Sequence, residues 1–147
     1  MTSWFENISR SIALRRVAQS WLGTPFRPNS STKGMGVSCQ KLVSAIYREV
    51  GFCDVEVPSV PMSYARFSRR ESLVEKFMAT RSEFAVVDSV DFGDLLGFRF
   101  GKIVHHLGIS LGNGEFVHAL YNQGVSISRL DGPAWMTRLV RIWRPLA

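Results

Sequence analysis

The hydrophobic periodicity of this chain changes halfway along, and that change restricts the fold more than any other feature. In the first half, apolar residues recur at helical spacing. Ile8, Ile12, Leu14, Val17, Trp21 and Leu22 form one run, and Leu42, Val43, Ile46 and Val50 form another. Gly23-Thr24-Pro25 closes the first run and Gly51 closes the second. In the second half, short strand-like segments follow one another at 94–100, 104–111, 115–119, 125–129 and 138–143. Gly112-Asn113-Gly114 reads as a hairpin turn. Helices followed by an antiparallel meander predict an α+β fold, with N-terminal helices packed on a C-terminal antiparallel sheet of about five strands.

A chain of 147 residues with nearly half its residues apolar can bury one core, so a single domain over 1–147 is expected. Pro58 and Pro61 predict an extended linker around 55–61, and the spacing of Tyr64, Phe67, Leu73, Val74 and Phe77 predicts a helix over 63–78. The net charge of +6 suits anionic partners. Its carriers are dispersed, however: Arg15-Arg16, Arg69-Arg70, Arg138, Arg141 and Arg144 form no block, which is the pattern of a solvated basic surface. No interleaved aromatic-basic signature or zinc-finger spacing points to nucleic acid. Gly34-Met35-Gly36 lacks the G-K-[ST] ending of a phosphate loop. The first residues have no basic start followed by an apolar core, so cytoplasmic synthesis without a signal peptide is expected. No run is long enough to predict membrane insertion. Cys39 and Cys53 flank the second helix, which sets their Cα atoms roughly 20 Å apart, so both are expected to be free thiols.

Cys39 carries the chemistry. Ser38 can cap the second helix, which puts Cys39 in its first turn. Unpaired backbone N–H groups and the positive end of the helix dipole stabilise a thiolate there. The competing reading is a small buried hydrophobe, the usual state of a free cysteine. A thiol nucleophile needs a base, and the base needs an orienting group. Along the strand at 104–111, His105, Leu107, Ile109 and Leu111 point one way, and His106, Gly108 and Ser110 the other. Gly108 leaves space beside His106, which makes His106 the candidate base. His118 shares its parity across the hairpin, so it is expected nearly opposite His106 as the orienter. Cys39, His106 and His118 are also admissible zinc ligands. The absence of C-x-x-C and H-E-x-x-H patterns argues against a metal, and no cofactor is expected.

These pieces resemble the NlpC-type cell-wall cysteine peptidases, a papain-like group. The matching stretches are Trp21-Leu-Gly-Thr-Pro-Phe26, Gly34-Met-Gly-Val-Ser-Cys39 continuing to Gly51, Gly93-Asp-Leu-Leu-Gly-Phe98, His106-Leu-Gly-Ile-Ser-Leu-Gly-Asn-Gly114, Phe116-Val-His-Ala119 and Gly124-Val-Ser-Ile-Ser-Arg-Leu130. The approach to the cysteine and the Trp135-to-Arg138 ending look most like the phage-tail and gene-transfer-agent branch. The resemblance implies a papain-like fold with Cys39 as nucleophile, His106 as base and His118 as orienter. It implies cleavage of stem-peptide amide bonds in peptidoglycan through a thioester, at a virion tail and beside tail-tip proteins. It also marks Phe26, Ser38 and Gln40 as substrate-binding positions. Here the chain departs from the family: Ser38 replaces an aspartate, Gln40-Lys41 replace Ser-Gly, and Phe26 replaces a tyrosine. A non-catalytic tail component, or the same thiol chemistry on another amide or acyl group, also fits these departures. The oligomeric state is open.

Overall fold

A computed structural model describes residues 2–59, 61 and 72–147. A 3₁₀ turn at Trp4–Glu6 precedes helix α1 (Ile8–Trp21). A two-residue hairpin, β1 (Ser31–Thr32) with β2 (Gly36–Val37), leads into helix α2 (Cys39–Glu49). Helix α3 (Leu73–Ala79) follows, and the expected helical segment before residue 72 lies outside the described residues. The remaining elements are β3 (Phe84–Val87), β4 (Leu95–Phe100), β5 (Ile103–Gly112), β6 (Glu115–Leu120), β7 (Gly124–Arg129), the short helix α4 (Pro133–Met136) and β8 (Leu139–Pro145). Among the described residues no helix is long and apolar enough to cross a membrane.

The sheet has six strands in the order β3-β8-β4-β5-β6-β7, and every pairing is antiparallel. The α+β architecture is as the periodicity predicts, with a sixth strand, β3, at one edge. Four residues at a sheet edge are too short to register as a periodic segment.

Alternation along the strands gives the sheet two apolar faces. Leu95, Leu107, Ile109, Val117, Ala119 and Trp143 pack with α1 and α2 into the main core. Leu96, Phe98, Phe116 and Ile142 form a second cluster on the other face, closed by Leu130, Trp135 and Leu139. Helix α2 earns its place through Leu42, Val43, Ile46 and Tyr47, all fully buried. Truncating one such side chain costs about 2–5 kcal/mol. Helix α1 presents Leu14, Ala18 and Trp21 to the core, whereas Ile8 and Ile12 from its expected apolar stripe are exposed. The Tyr47 hydroxyl donates to the Gly93 carbonyl at 2.9 Å, joining α2 to the β4 approach. Buried Asp94 forms a two-point ion pair with Arg144 of β8 at 3.1 and 2.8 Å.

Candidate active site

The site forms where α2 begins. Ser38 is extended and its Oγ accepts from the Lys41 N–H at 3.3 Å, so it caps the helix as the sequence predicts. Strand β5 pairs with β6 only from Gly108 onward. Residues 105–107 therefore leave one backbone edge open, and the first turn of α2 fills it. Gln40 Nε2 donates to the His105 carbonyl at 2.9 Å. The Leu107 N–H points at the Cys39 sulfur and, with the Gln40 and Cys39 N–H groups, favours its anion. The helix start thus grips β5 on both sides of His106.

Burial opposes those N–H groups and exceeds them. Cys39 is 5% exposed, and loss of solvent pushes its thiol up to about 11. The N–H groups expected at a helix start are in place, and burial works against the charge they favour. The second cysteine, Cys53, is a half-buried free thiol beyond the far end of α2.

His106 and His118 lie on the sheet face of the second apolar cluster. Their rings are hydrogen-bonded, with His106 Nε2 2.8 Å from His118 Nδ1. The ladder places His118 opposite Gly108 rather than opposite His106, because residues 108 and 118, not 106 and 118, lie equally far from Asn113 at the centre of the turn. The two histidines are diagonal neighbours that meet across a position with no side chain. A Cβ at Gly108 would lie 2.8 Å from the Phe116 ring and 3.0 Å from the Val117 carbonyl. His118 Nε2 in turn lies 2.8 Å from Ser128 Oγ on β7.

An aromatic box surrounds the pair. Phe100 stacks on His106 at 5.0 Å between centroids, Trp135 stacks at 5.3 Å, and Phe98 lies at 5.8 Å. Trp135 also meets His118 edge to face at 4.8 Å. Burial holds His106 well below the ordinary histidine range, with His118, His105 and Arg138 adding to the effect. Burial alone holds His118 down to about 4. Burial thus favours the neutral form of both rings.

The remaining residues singled out in the sequence are near but differently employed. The Ser38 hydroxyl shares a hydrogen with Ser59 at 3.0 Å, and both Ser38 and Gln40 are buried, so their side chains are committed to the protein. Phe26 bridges Val37 and meets the exposed ring of Tyr121 at 5.9 Å. Ser128, Phe98 and Phe100 were not legible as site residues: their contact with the histidines depends on which strands neighbour β5 and β6.

The sequence model of the NlpC/P60 family matches residues 23–144, a span that contains every residue of this site. The chain belongs to the NlpC/P60 family. It is 31% identical over 138 residues to the Murein DD-endopeptidase MepS/Murein LD-carboxypeptidase of Escherichia coli strain K12, covering 91% of this chain and 64% of that protein. It is 30% identical over 132 residues to the Probable endopeptidase NlpC of the same strain, covering 88% of this chain and 75% of that protein. The structure of NlpC1 from Trichomonas vaginalis superposes with a TM-score of 0.67 at 18% identity, over 97% of this chain and 46% of that one. The last match establishes the NlpC/P60 fold. The helix-start cysteine and the strand-borne histidine pair are therefore both set within an NlpC/P60 framework of helices on an antiparallel sheet.

Proposed function

We propose that this single domain is a cysteine peptidase that cleaves stem-peptide amide bonds of peptidoglycan through a thioester acyl-enzyme. The observation that carries the reading is the docking of Cys39 against β5 beside a hydrogen-bonded His106–His118 pair. The MepS name, which specifies a murein endopeptidase, supports the substrate class.

His106 Nε2 is engaged by His118, so Nδ1 is the nitrogen left to act as base. In the acylation step the Cys39 sulfur attacks the amide carbon while its proton passes to His106 Nδ1. The carbonyl oxygen becomes an oxyanion, to which the Cys39 backbone N–H donates. The tetrahedral species collapses, the C–N bond breaks, and His106 returns the proton to the leaving amine. A water molecule then attacks the thioester and gives its proton to His106. The C–S bond breaks, the product leaves as a carboxylic acid, and the proton goes back to sulfur. His118 orients His106 throughout.

Phe26 is placed to contact substrate through its ring, and Ser38 and Gln40 through their backbone. The setting we propose is a phage tail tip, supported by the likeness of 31–36 and of the Trp135-to-Arg138 ending to that branch. Purified muropeptides incubated with the protein test the reading by mass spectrometry. The expected products are a new peptide carboxylate and a new amine, summing to substrate plus one water. Unchanged muropeptides, with other amides or esters turned over, would contradict it.

A further inference from the structure

His118 uses both ring nitrogens, Nδ1 toward His106 Nε2 and Nε2 toward Ser128 Oγ, each at 2.8 Å. A neutral imidazole carries one N–H, so the directions of the two bonds are linked. When His106 takes the thiol proton it carries N–H on both nitrogens, and its Nε2–H must donate to His118 Nδ1. His118 can accept there only with its own hydrogen on Nε2. That N–H needs an acceptor, and Ser128 Oγ stands in place. Ser128 is half-buried, so its hydroxyl hydrogen can turn toward solvent while a lone pair takes the bond.

The reverse chain is unproductive. If the Ser128 O–H donated to His118 Nε2, the His118 hydrogen would sit on Nδ1 and face His106 Nε2. His106 would then hold its own hydrogen on Nδ1, with no lone pair for the thiol proton.

We infer that Ser128 is a positioning residue that holds His118 in its Nε2–H tautomer and so keeps His106 Nδ1 free to act as base. The inference rests on the Cys39–His106–His118 reading of the site. It selects between two serines of β7. Ser126 is the direct ladder partner of His118, yet its hydroxyl oxygen is buried with no hydrogen-bond partner among the described residues. Ser128 makes the bond.

The test compares Ser128→Ala, Ser128→Thr, Ser126→Ala and Cys39→Ala on purified muropeptides, with ¹⁵N NMR of the histidine rings. Losing one hydrogen bond to the neutral ring that orients the base predicts a fall in kcat/KM of up to about tenfold for Ser128→Ala. In that variant the His118 spectrum should gain the Nδ1–H tautomer, whereas wild type shows Nε2–H. Ser128→Thr should restore both rate and tautomer, and Ser126→Ala should match wild type. The inference is overturned if Ser128→Ala keeps the wild-type rate. It is equally overturned if the rate falls with the His118 tautomer unchanged, or is not restored by threonine. A Cys39→Ala variant as active as wild type would instead overturn the underlying reading, which separates the two failures.

Discussion

At Cys39, two consequences of a helix start oppose each other. The terminus offers N–H groups to the sulfur, and the packing that brings it onto β5 removes water. The sequence displays the first effect, because Ser38-Cys39 before an apolar stripe is a local pattern. It cannot display the second, since the Leu107 edge lies far along the chain. Burial at the histidines has a measurable consequence. In the unfolded chain a histidine titrates near 6.5, while folded His118 titrates at about 4 and His106 also well below 6.5. Between those values the unfolded state binds protons that the folded state does not, so stability falls as pH falls. It is fully present above about pH 6.5 and is lost toward about pH 4. Urea midpoints should therefore be lower at about pH 5 than at about pH 7, and His118→Asn should reduce the difference, with His106 still contributing. Equal wild-type midpoints would refute the burial of neutral histidines.

The elements that build the site were legible to different degrees. The α2 boundaries and all but one strand of the large sheet follow from capping and periodicity. The His106–His118 encounter follows from parity. Its diagonal geometry was legible too, because residues 108 and 118 lie equally far from Asn113, which sets His118 opposite Gly108 and diagonal to His106. The short β1–β2 hairpin, β3 and α4 were missed because each is too brief to show a period. One buried amide, Gln40, ties α2 to β5 alongside the Cys39–Leu107 contact and the shared core. Gln40→Leu removes its donor and leaves the His105 carbonyl unsatisfied, which costs about 1–3 kcal/mol. The urea midpoint should drop with an unchanged m-value, and muropeptide turnover should fall with it. A variant as stable and active as wild type would show that the helix start is held by packing alone.

At the scale of the molecule, two apolar clusters on opposite faces of one sheet divide the labour. The main core fixes α2, and with it the cysteine. The second cluster, closed by Trp135, encloses the imidazole pair. The open edge of β5 at 105–107 is where the two meet. The proposed chemistry is set there. The central claim is that Cys39 is the nucleophile. Turnover of purified muropeptides by Cys39→Ala, with its fold verified by circular dichroism, tests that claim most directly. The account predicts loss of cleavage to background with the native spectrum retained. Cleavage at the wild-type rate by the folded variant would contradict it.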